Sequence, residues 1–291
     1  MKNILKENNK TEVYSSILWL VKVLRRQVNK LFSFLRNKYY GIIFKRSIKR
    51  KAPYKIINYK EYINYLLKDS LTTRRNILLS FTDRYKLICR NNDLSAIGEV
   101  CILEDYQRIP EYKIHSGNIV FDVGAHMGSF SVYAASKGAT VYAFEPEDRN
   151  YEFLLRNIRL NKLEKNIIPF KLGIYKFNGN IPLFVSESNF GGHSIIGEHN
   201  PKEIKVTTLS DICQKLNIDR INLLKIDIEG AEYDIFSNMS QDTFKMINKI
   251  VGEYHLFPEK PNLNFLYIRD LLQPYFREIK HLHPYYFYAK K

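Results

Sequence analysis

From Asn118 to the end of the chain, short apolar segments of strand length alternate with longer segments of helical character. Strands are predicted at residues 119–123, 140–145, 167–172, 222–227 and 250–254. Helices are predicted between them at residues 129–137, 148–161, 209–216 and 231–239. This alternation is typical of an α/β fold, in which helices cover both faces of a mostly parallel sheet.

Two further features belong to the same α/β region. Residues 173–207 form an insertion between the third and fourth strands, and two strands are predicted there around Gly191 and Gly192. Residues 276–281 and 285–290 are predicted to pair as antiparallel strands at one edge of the sheet. The α/β domain is therefore predicted to extend over residues 118–291.

The residues before this domain are predicted to form two regions. Residues 51–117 contain a helical stretch near 59–67, then a strand pair at 77–81 and 85–90, then helix and loop. We expect this region to act as a lid or adaptor against the α/β domain. Residues 1–50 are predicted to be a helical extension, because apolar side chains recur at helical spacing from Val13 to Tyr39.

The net charge of +15 is concentrated in the first 60 residues. These hold 16 Lys and Arg against two acidic residues, whereas residues 61–291 hold 29 basic and 28 acidic residues. A basic amphipathic helix is suited to the surface of an anionic membrane, so residues 13–50 are candidates for a peripheral membrane contact. Packing on its own domain or on a partner chain is the alternative, and RNA binding is a third.

Cysteine usage and hydropathy indicate an intracellular protein. Cys89, Cys101 and Cys213 lie far apart and form no C-x-x-C pair, so they predict neither a disulfide framework nor a zinc site, and no metal site is predicted elsewhere. The apolar run at residues 17–24 is interrupted by Lys22 and is too short to cross a bilayer of about 30 Å. No small-residue cleavage site follows it, and we expect a cytoplasmic location.

A glycine-containing turn, in the run FDVGAHMGSF, follows the first strand of the α/β domain. Ligands of open α/β sheets bind outside the carboxyl ends of the strands, where this turn lies. Gly124 and Ala125 would bring the backbone close to a ligand, and Gly128 would let the next helix pack near the strand. Asp122 is expected either to order the loop or to bind a cationic group of the ligand. A purely structural corner is the alternative interpretation.

Glu145 ends the second strand, 23 residues after Asp122. A carboxylate at this place can accept hydrogen bonds from both ribose hydroxyls of an adenosine, whereas a salt bridge to Arg149 or Arg156 is the structural alternative. A dinucleotide such as NAD is disfavoured, because the turn lacks the middle glycine of the G-x-G-x-x-G pattern.

Ionisable residues also end the fourth and fifth strands. Lys225 and Asp227 share a face of the fourth strand, and Glu229 follows in the loop. The run Glu253-Tyr254-His255 ends the fifth strand, and parallel neighbours would bring both groups to one edge of the sheet. Buried charges of this kind are either paired with one another or bound to a ligand.

These motifs together resemble the FkbM family of S-adenosylmethionine (SAM)-dependent methyltransferases. The resemblance spans residues 84–255, includes Asp93, Glu99 and Tyr106, and is most specific in DVGAHMG and KIDIEGAE. It implies a Rossmann-like class I methyltransferase sheet with strand order 3-2-1-4-5-7-6. It also implies methyl transfer to a hydroxyl oxygen of a sugar, glycan, polyketide or similar metabolite, and the residues that it assigns to SAM binding are Asp122, Gly124, Ala125, Gly128 and Glu145.

By the same resemblance, Asp227 and Glu229 face the methyl acceptor. A base must remove a proton from the acceptor hydroxyl, and Asp227 and His255 are candidates, together with His193 from the insertion. The third strand ends at Leu172-Gly173 without the acidic residue that holds the adenine amino group in other methyltransferase families. The resemblance therefore implies that backbone or hydrophobic contacts hold the adenine.

Two other functions fit the sequence. An RNA ribose methyltransferase would use the basic N-terminal residues to bind phosphates. A SAM-binding or membrane-associated adaptor would have no catalytic turnover. Methylation of base amino groups is disfavoured, because DIEG replaces the N-P-P-Y-like motif after the fourth strand. The sequence does not determine the acceptor or the oligomeric state.

Overall fold

The computed structural model describes residues 45–67, 76–184, 201–257, 259–282 and 285–291. The chain divides at Arg50 into two units, and the second, Lys51–Lys291, is described below. The predicted helix over residues 13–39, the Gly191-Gly192 pair and His193 lie outside the described residues. Among the described residues, no helix has the length and apolar character needed to span a bilayer.

The region before the α/β domain combines a small hairpin with short helical turns. Helix α1 (Tyr59–Leu67) follows a helix over residues 45–55, and strands β1 (Ile77–Ser80) and β2 (Lys86–Cys89) pair antiparallel. The predicted helix and hairpin are both confirmed. Helix α2 (Leu94–Ile97) leads into a π-helical turn at Gly98–Leu103. Three 3₁₀ turns complete the region, at Asn91–Asp93, Asp105–Gln107 and Pro110–Tyr112.

In the described part of the chain after residue 118, ten strands follow, in two sheets. They are β3 (Ile119–Val123), β4 (Thr140–Phe144), β5 (Ile167–Phe170), β6 (Gly173–Ile174), β7 (Gly179–Phe184), β8 (Pro201–Thr207), β9 (Leu223–Ile226), β10 (Lys249–Glu253), β11 (Glu278–Leu282) and β12 (Tyr286–Lys290). The main sheet has the order β5-β4-β3-β9-β10-β12-β11. Numbered along the main sheet alone, this is 3-2-1-4-5-7-6, so the class I methyltransferase topology is confirmed. Strand β12 runs antiparallel to β10 and to β11, as predicted for the C-terminal tail.

Helices connect the strands of the main sheet. They are α3 (Ser129–Ser136), α4 (Asp148–Leu160), α5 (Leu209–Lys215), α6 (Glu232–Asn238), α7 (Gln241–Met246) and α8 (Phe265–Leu272). Helices α7 and α8 are not predicted from the sequence. The N-terminus of α8 is capped by the Asn264 side chain, which accepts hydrogen bonds from two backbone N–H groups of the first turn.

The insertion forms a separate three-stranded sheet with the order β6-β8-β7. Strands β7 and β8 pair antiparallel, which confirms the two predicted strands, and the two-residue strand β6 adds to β8 in parallel. Leu183, Ile204 and Val206 are buried on one face of this sheet and pack with Tyr175 and Ala231. This sheet therefore has a small apolar core of its own beside the main sheet.

The centre of the main sheet is largely apolar, and the buried charged residues Asp122 and Lys225 lie near the carboxyl ends of β3 and β9. Every residue of β9 is buried, and Phe121, Phe144 and Phe287 are among the largest fully buried side chains. Burying each such ring contributes roughly 2 to 3 kcal/mol relative to exposure. Glu145, Asp227 and His255 come directly or shortly after the last paired residues of β4, β9 and β10. Rigid strands therefore hold all three side chains at one edge of the sheet.

Candidate active site

Two glycines shape the turn between β3 and α3 for different reasons. Gly124 has φ +80°, and a Cβ atom there would lie 1.9 Å from the carbonyl oxygen of Asp227. Gly128 has φ +86°, and a Cβ atom there would lie 2.5 Å from Cδ1 of Leu154. Gly124 therefore allows β3 and β9 to approach at their carboxyl ends, and Gly128 allows α3 and α4 to pack closely.

Asp122 lies beneath this turn and is fully buried. Its Oδ2 accepts a hydrogen bond of 2.6 Å from the Ser131 hydroxyl, and its Oδ1 lies 3.3 Å from Nζ of Lys225. Lys225 in turn donates a 2.7 Å hydrogen bond to the carbonyl oxygen of Gly124. These contacts order the turn, which is one of the two roles that the sequence leaves open for Asp122.

Glu145 is held by two backbone donors. Its Oε2 accepts from the N–H of His126 at 2.8 Å, and its Oε1 accepts from the N–H of Glu147 at 3.0 Å. Burial raises the pKa of this carboxyl. Neither Arg149 nor Arg156 forms an ion pair with it within the described part of the chain. Each carboxylate oxygen has a second lone pair, so the side chain keeps the capacity to accept from ribose hydroxyls.

A cavity of about 290 Å³ lies at this edge of the main sheet. Gly124, Ala125 and Glu145 line this cavity. Asp122 and Gly128, which the structure also describes, do not line it. The insertion sheet contributes an apolar side, formed by Ile174, Ile181, Leu183, Ile204 and Val206. Backbone and carboxylate acceptors beside an apolar wall suit an adenosyl group, whose ribose is polar and whose adenine has a broad apolar face.

The other side of the cavity is acidic. Four carboxylates and one imidazole line it and are called the acidic cluster below: Glu99, Asp227, Glu229, Glu253 and His255. The Tyr106 hydroxyl donates a 2.7 Å hydrogen bond to Oδ2 of Asp227, and Nζ of Lys225 lies 3.9 Å from the same oxygen. Strands β9 and β10 are parallel neighbours, which confirms that their polar ends meet at one edge.

His255 is fixed by Glu232, a fully buried residue behind the cluster. Oε1 of Glu232 lies 3.0 Å from Nδ1 of His255 and also accepts from the His255 backbone N–H at 2.8 Å. Nε2 of His255 lies 3.3 Å from Glu229 and 4.0 Å from Asp227. Burial alone would lower the pKa of His255, but the hydrogen bond to Glu232 and the surrounding carboxylates raise it to about 10.

The carboxylates of the acidic cluster repel one another in a partly dehydrated space. Burial, followed by the charge of Asp227, raises the pKa of Glu253 to about 8. Burial also raises the pKa of Glu229 to about 7, although the charge of His255 opposes this shift. For Glu99, burial and then the charge of Glu253 raise the pKa well above its usual range. Shifts of this kind are concentrated at functional sites.

The structure brings together most of the residues that the sequence singled out. Asp227, Glu229 and His255 share the cavity with Gly124, Ala125 and Glu145, and His193 lies outside the described residues. Sequence reasoning assigned no role to Glu99, Tyr106 or Glu232. Glu99 and Tyr106 are part of the FkbM resemblance, but they come from short helical turns with no periodic signal that would place them at the sheet edge.

Comparison with known proteins identifies the family. A family model of the methyltransferase FkbM domain matches residues 122–280. The chain belongs to the FkbM methyltransferase family. It is therefore a methyltransferase, and its cofactor is S-adenosyl-L-methionine. The FkbM domain model includes the glycine turn, Glu145, the acidic ends of β9 and β10, and part of the C-terminal tail.

Individual relatives are distant. The methyltransferase sdnD of Sordaria araneosa is 24% identical over 175 residues, a match that covers 48% of this chain and 68% of sdnD. The hexuronic acid methyltransferase AglP of Haloferax volcanii is 22% identical over 152 residues, covering 52% of this chain and 62% of AglP. The crystal structure of the methyltransferase FkbM from Methylobacillus flagellatus is 18% identical with a TM-score of 0.43, covering 68% of this chain and 53% of that one.

Proposed function

We propose that this protein methylates a hydroxyl oxygen of a sugar, glycan or similar metabolite. The observation that supports this proposal is that one cavity is lined both by the predicted cofactor residues, Gly124 and Glu145, and by the acidic cluster. A methyl donor held on the first side would have its acceptor beside carboxylates that can take a proton. The relative AglP is a hexuronic acid methyltransferase, which supports an acceptor of the sugar class; the carboxylate of such a sugar would have to face away from the acidic cluster.

The charge of the cavity favours a hydroxyl over an anionic acceptor. The four carboxylates of the acidic cluster line the cavity; burial raises the pKa of Glu229 and of Glu253, and repulsion by neighbouring carboxylates adds to both shifts. A carboxylate or phosphate beside them would be repelled strongly, because charges interact over several ångströms at the low effective dielectric of a cleft. A neutral hydroxyl carries no such cost. The same argument disfavours an RNA acceptor, whose backbone brings phosphates to the reacting ribose.

The residues of this chain have three tasks in such a reaction. Bound SAM supplies the methyl group on a positively charged sulfur. The backbone at Gly124 and the carboxylate of Glu145 orient the donor, and the walls of the cavity exclude water. Asp227 and Glu229 accept the proton of the acceptor hydroxyl. Tyr106 and Glu232 are positioning residues, because they fix the orientation of Asp227 and His255.

The proposal is tested by transfer of a labelled methyl group. The protein and SAM labelled in the methyl group are incubated with cell extract separated into glycans, small metabolites, lipids and RNA. We expect label in glycans or small metabolites as a methyl ether, which survives mild alkali, whereas a methyl ester would release methanol. Label found only in RNA, or released completely by alkali, would contradict the proposal.

Substitution of Asp227 shows whether the acidic cluster performs the transfer. We expect Asp227→Asn to reduce the rate by about 100-fold or more, because the amide cannot accept the proton. The matched control is Asp242→Asn, which changes an exposed aspartate paired with Lys245. Binding of S-adenosylhomocysteine is measured for both variants to confirm that they are folded. A rate for Asp227→Asn equal to that of Asp242→Asn would remove Asp227 from the mechanism.

A further inference from the structure

Three donor atoms in the acidic cluster are close enough to share one metal ion. Asp227, Glu253 and His255 each offer one ligand atom, and these atoms all lie within 4.8 Å of one another. Ligands of Mg²⁺ or Ca²⁺ lie about 2.0 to 2.6 Å from the ion, so atoms on opposite sides of one ion are roughly 4 to 5 Å apart. The present spacing therefore fits an ion placed between them with little movement of the side chains.

Glu253 gives independent support for a missing cation. Its side chain is partly buried and faces the cavity, and no hydrogen bond fixes it among the residues that the structure describes, although the charge of His255 acts on it. Glu99 faces the same cavity, is also partly buried, and is subject to the charge of Glu253. Carboxylates that crowd one another in a cleft are normally paired or bound to a metal. A cation at this point would offset the repulsion between them.

His255 is oriented as a metal ligand would be. Its Nδ1 contacts the buried carboxylate of Glu232, and its Nε2 points toward Asp227 and Glu229. Metal-binding histidines almost always donate their second N–H to a carboxylate, a carbonyl oxygen or water, which fixes the ring and raises its basicity. Nε2 is therefore the ring nitrogen that would face a metal ion held between these carboxylates.

We propose that Asp227, Glu253 and His255 bind one divalent metal ion of the Mn²⁺ type at the acceptor side of the cavity. Two carboxylates favour a hard cation, and the imidazole favours Mn²⁺ over Mg²⁺. The catalytic role of this metal ion rests on the proposed function. Its open coordination positions would bind the acceptor hydroxyl and make it more acidic.

The metal ion would assist the transfer without being consumed and without changing its oxidation state. The O–H bond of the bound hydroxyl breaks, and because Asp227 is then engaged as a ligand the proton passes to Glu229, whose Oε2 lies 3.3 Å from Nε2 of His255. The oxygen then forms a bond to the methyl carbon, the carbon–sulfur bond breaks, and its electron pair stays on sulfur. The products are the methyl ether and S-adenosylhomocysteine, and the metal ion is unchanged.

Binding is tested directly with Mn²⁺ and the full-length protein after removal of metals by a chelator. The electron paramagnetic resonance signal of free Mn²⁺ is followed during a titration at pH 8, with and without S-adenosylhomocysteine. We expect one saturable site with a Kd below about 0.1 mM. Glu253→Gln should weaken this binding by about tenfold or more, whereas the exposed Glu164→Gln should leave it unchanged.

The metal site would be overturned by the absence of saturable Mn²⁺ binding in the wild type, or by equal Kd values for Glu253→Gln and Glu164→Gln. Saturable binding of ethylammonium in place of Mn²⁺ would also overturn it, in favour of an amine acceptor. If Glu253→Gln is unfolded by circular dichroism, His255→Gln takes its place with the same expectation. The titration needs no acceptor, so its failure leaves the labelled methyl-transfer test unaffected. Mn²⁺ binding without methyl transfer would contradict only the proposed function.

Discussion

Glu145 and Glu147 are buried carboxylates two residues apart that perform different tasks. Glu145 lines the cavity and accepts from the backbone at His126 and at Glu147. Glu147 is the N-cap of α4, and its side chain accepts a 2.8 Å hydrogen bond from the N–H of Asn150. The pair therefore separates the proposed cofactor contact from helix capping within one short segment.

Replacing each of the two glutamates by alanine should give opposite results. Glu145→Ala should weaken binding of S-adenosylhomocysteine by about tenfold or more, because each hydrogen bond to a charged group contributes roughly 1.5 to 3 kcal/mol. Glu147→Ala should lower the free energy of unfolding by about 1 kcal/mol through loss of the cap and leave the affinity unchanged. Calorimetry and urea unfolding measure the two effects. Equal affinities for the two variants would remove Glu145 from the cofactor site.

Residues at strand ends were the most predictable part of the site. Glu145, Asp227 and His255 follow apolar strands, and the carboxyl ends of parallel strands must meet at one edge. Tyr106 and Glu99 contact or face the same cavity from a 3₁₀ turn and a π-helical turn. Short turns of this kind have no sequence period, so the position of their side chains depends on tertiary packing that the sequence does not display.

At the scale of elements, the glycine turn after β3 is tightly constrained by its neighbours. Gly124 and Gly117 both have φ +80°, so an added side chain strains both backbones to a similar degree. They differ in their surroundings. A Cβ atom at Gly124 would overlap the backbone of Asp227, whereas a Cβ atom at Gly117 would meet nothing within 4 Å. Comparison of the two positions therefore isolates the effect of the close approach between β3 and β9.

Gly117→Ala should lower the free energy of unfolding by only about 1 to 2 kcal/mol, the cost of a left-handed conformation. Gly124→Ala should lower it by several kcal/mol more and should weaken binding of S-adenosylhomocysteine, because the turn must move away from Asp227. Urea unfolding and calorimetry on both variants provide the measurement. A Gly124→Ala protein as stable as Gly117→Ala would show that the strand ends tolerate separation.

Most elements were predicted nearly to their ends, but strand β6 and helices α7 and α8 were not predicted. The predicted strand at 140–145 is observed as Thr140–Phe144, and the predicted helix at 148–161 as Asp148–Leu160. Strand β6 has two residues and helix α7 has six, which is too few for either period to be recognised. The end residues differ by one or two because the last groups of an element bond to caps and loops.

At the scale of the whole molecule, the region before the α/β domain is tied to the glycine turn by one buried carboxylate. Asp93 lies 2.9 Å from Nη2 of Arg90 and 3.3 Å from Nε2 of His126. Arg90 also donates a 2.7 Å hydrogen bond to Asn150 at the start of α4. The network therefore connects the 3₁₀ turn after β2 with two residues that line the cavity.

The sequence indicated the strand order of the main sheet through the family resemblance, but not this connection. Residues 51–117 were expected to form a lid or adaptor, and nothing in their spacing showed that Asp93 would pair with Arg90 and His126. Asn157 of α4 bonds to both backbone groups of Ile88 in β2, so the hairpin is also joined to the α/β domain. Contacts between residues so far apart in the chain follow from the folded topology and leave no local pattern.

Asp93 should make the stability of the protein depend on pH below about 4. Burial opposes ionisation of this carboxyl, but the hydrogen bonds and charges of His126 and Arg90 overcome it and lower the pKa to about 2. Because the folded pKa lies below the unfolded value, the contribution is complete above pH 4 and is lost as pH falls toward 2. The shift corresponds to about 2 kcal/mol at neutral pH.

We therefore expect Asp93→Asn to lower the free energy of unfolding by about 2 kcal/mol at pH 6, and the difference from the wild type to shrink as pH falls from 4 to 2. Urea unfolding at several pH values measures both quantities. Asp83→Asn is the matched control, since Asp83 forms a partly exposed pair with Lys137 that contributes at most about 1 kcal/mol. If the loss for Asp93→Asn were the same at pH 6 and at pH 3, the ionised carboxylate would not be what joins the two regions.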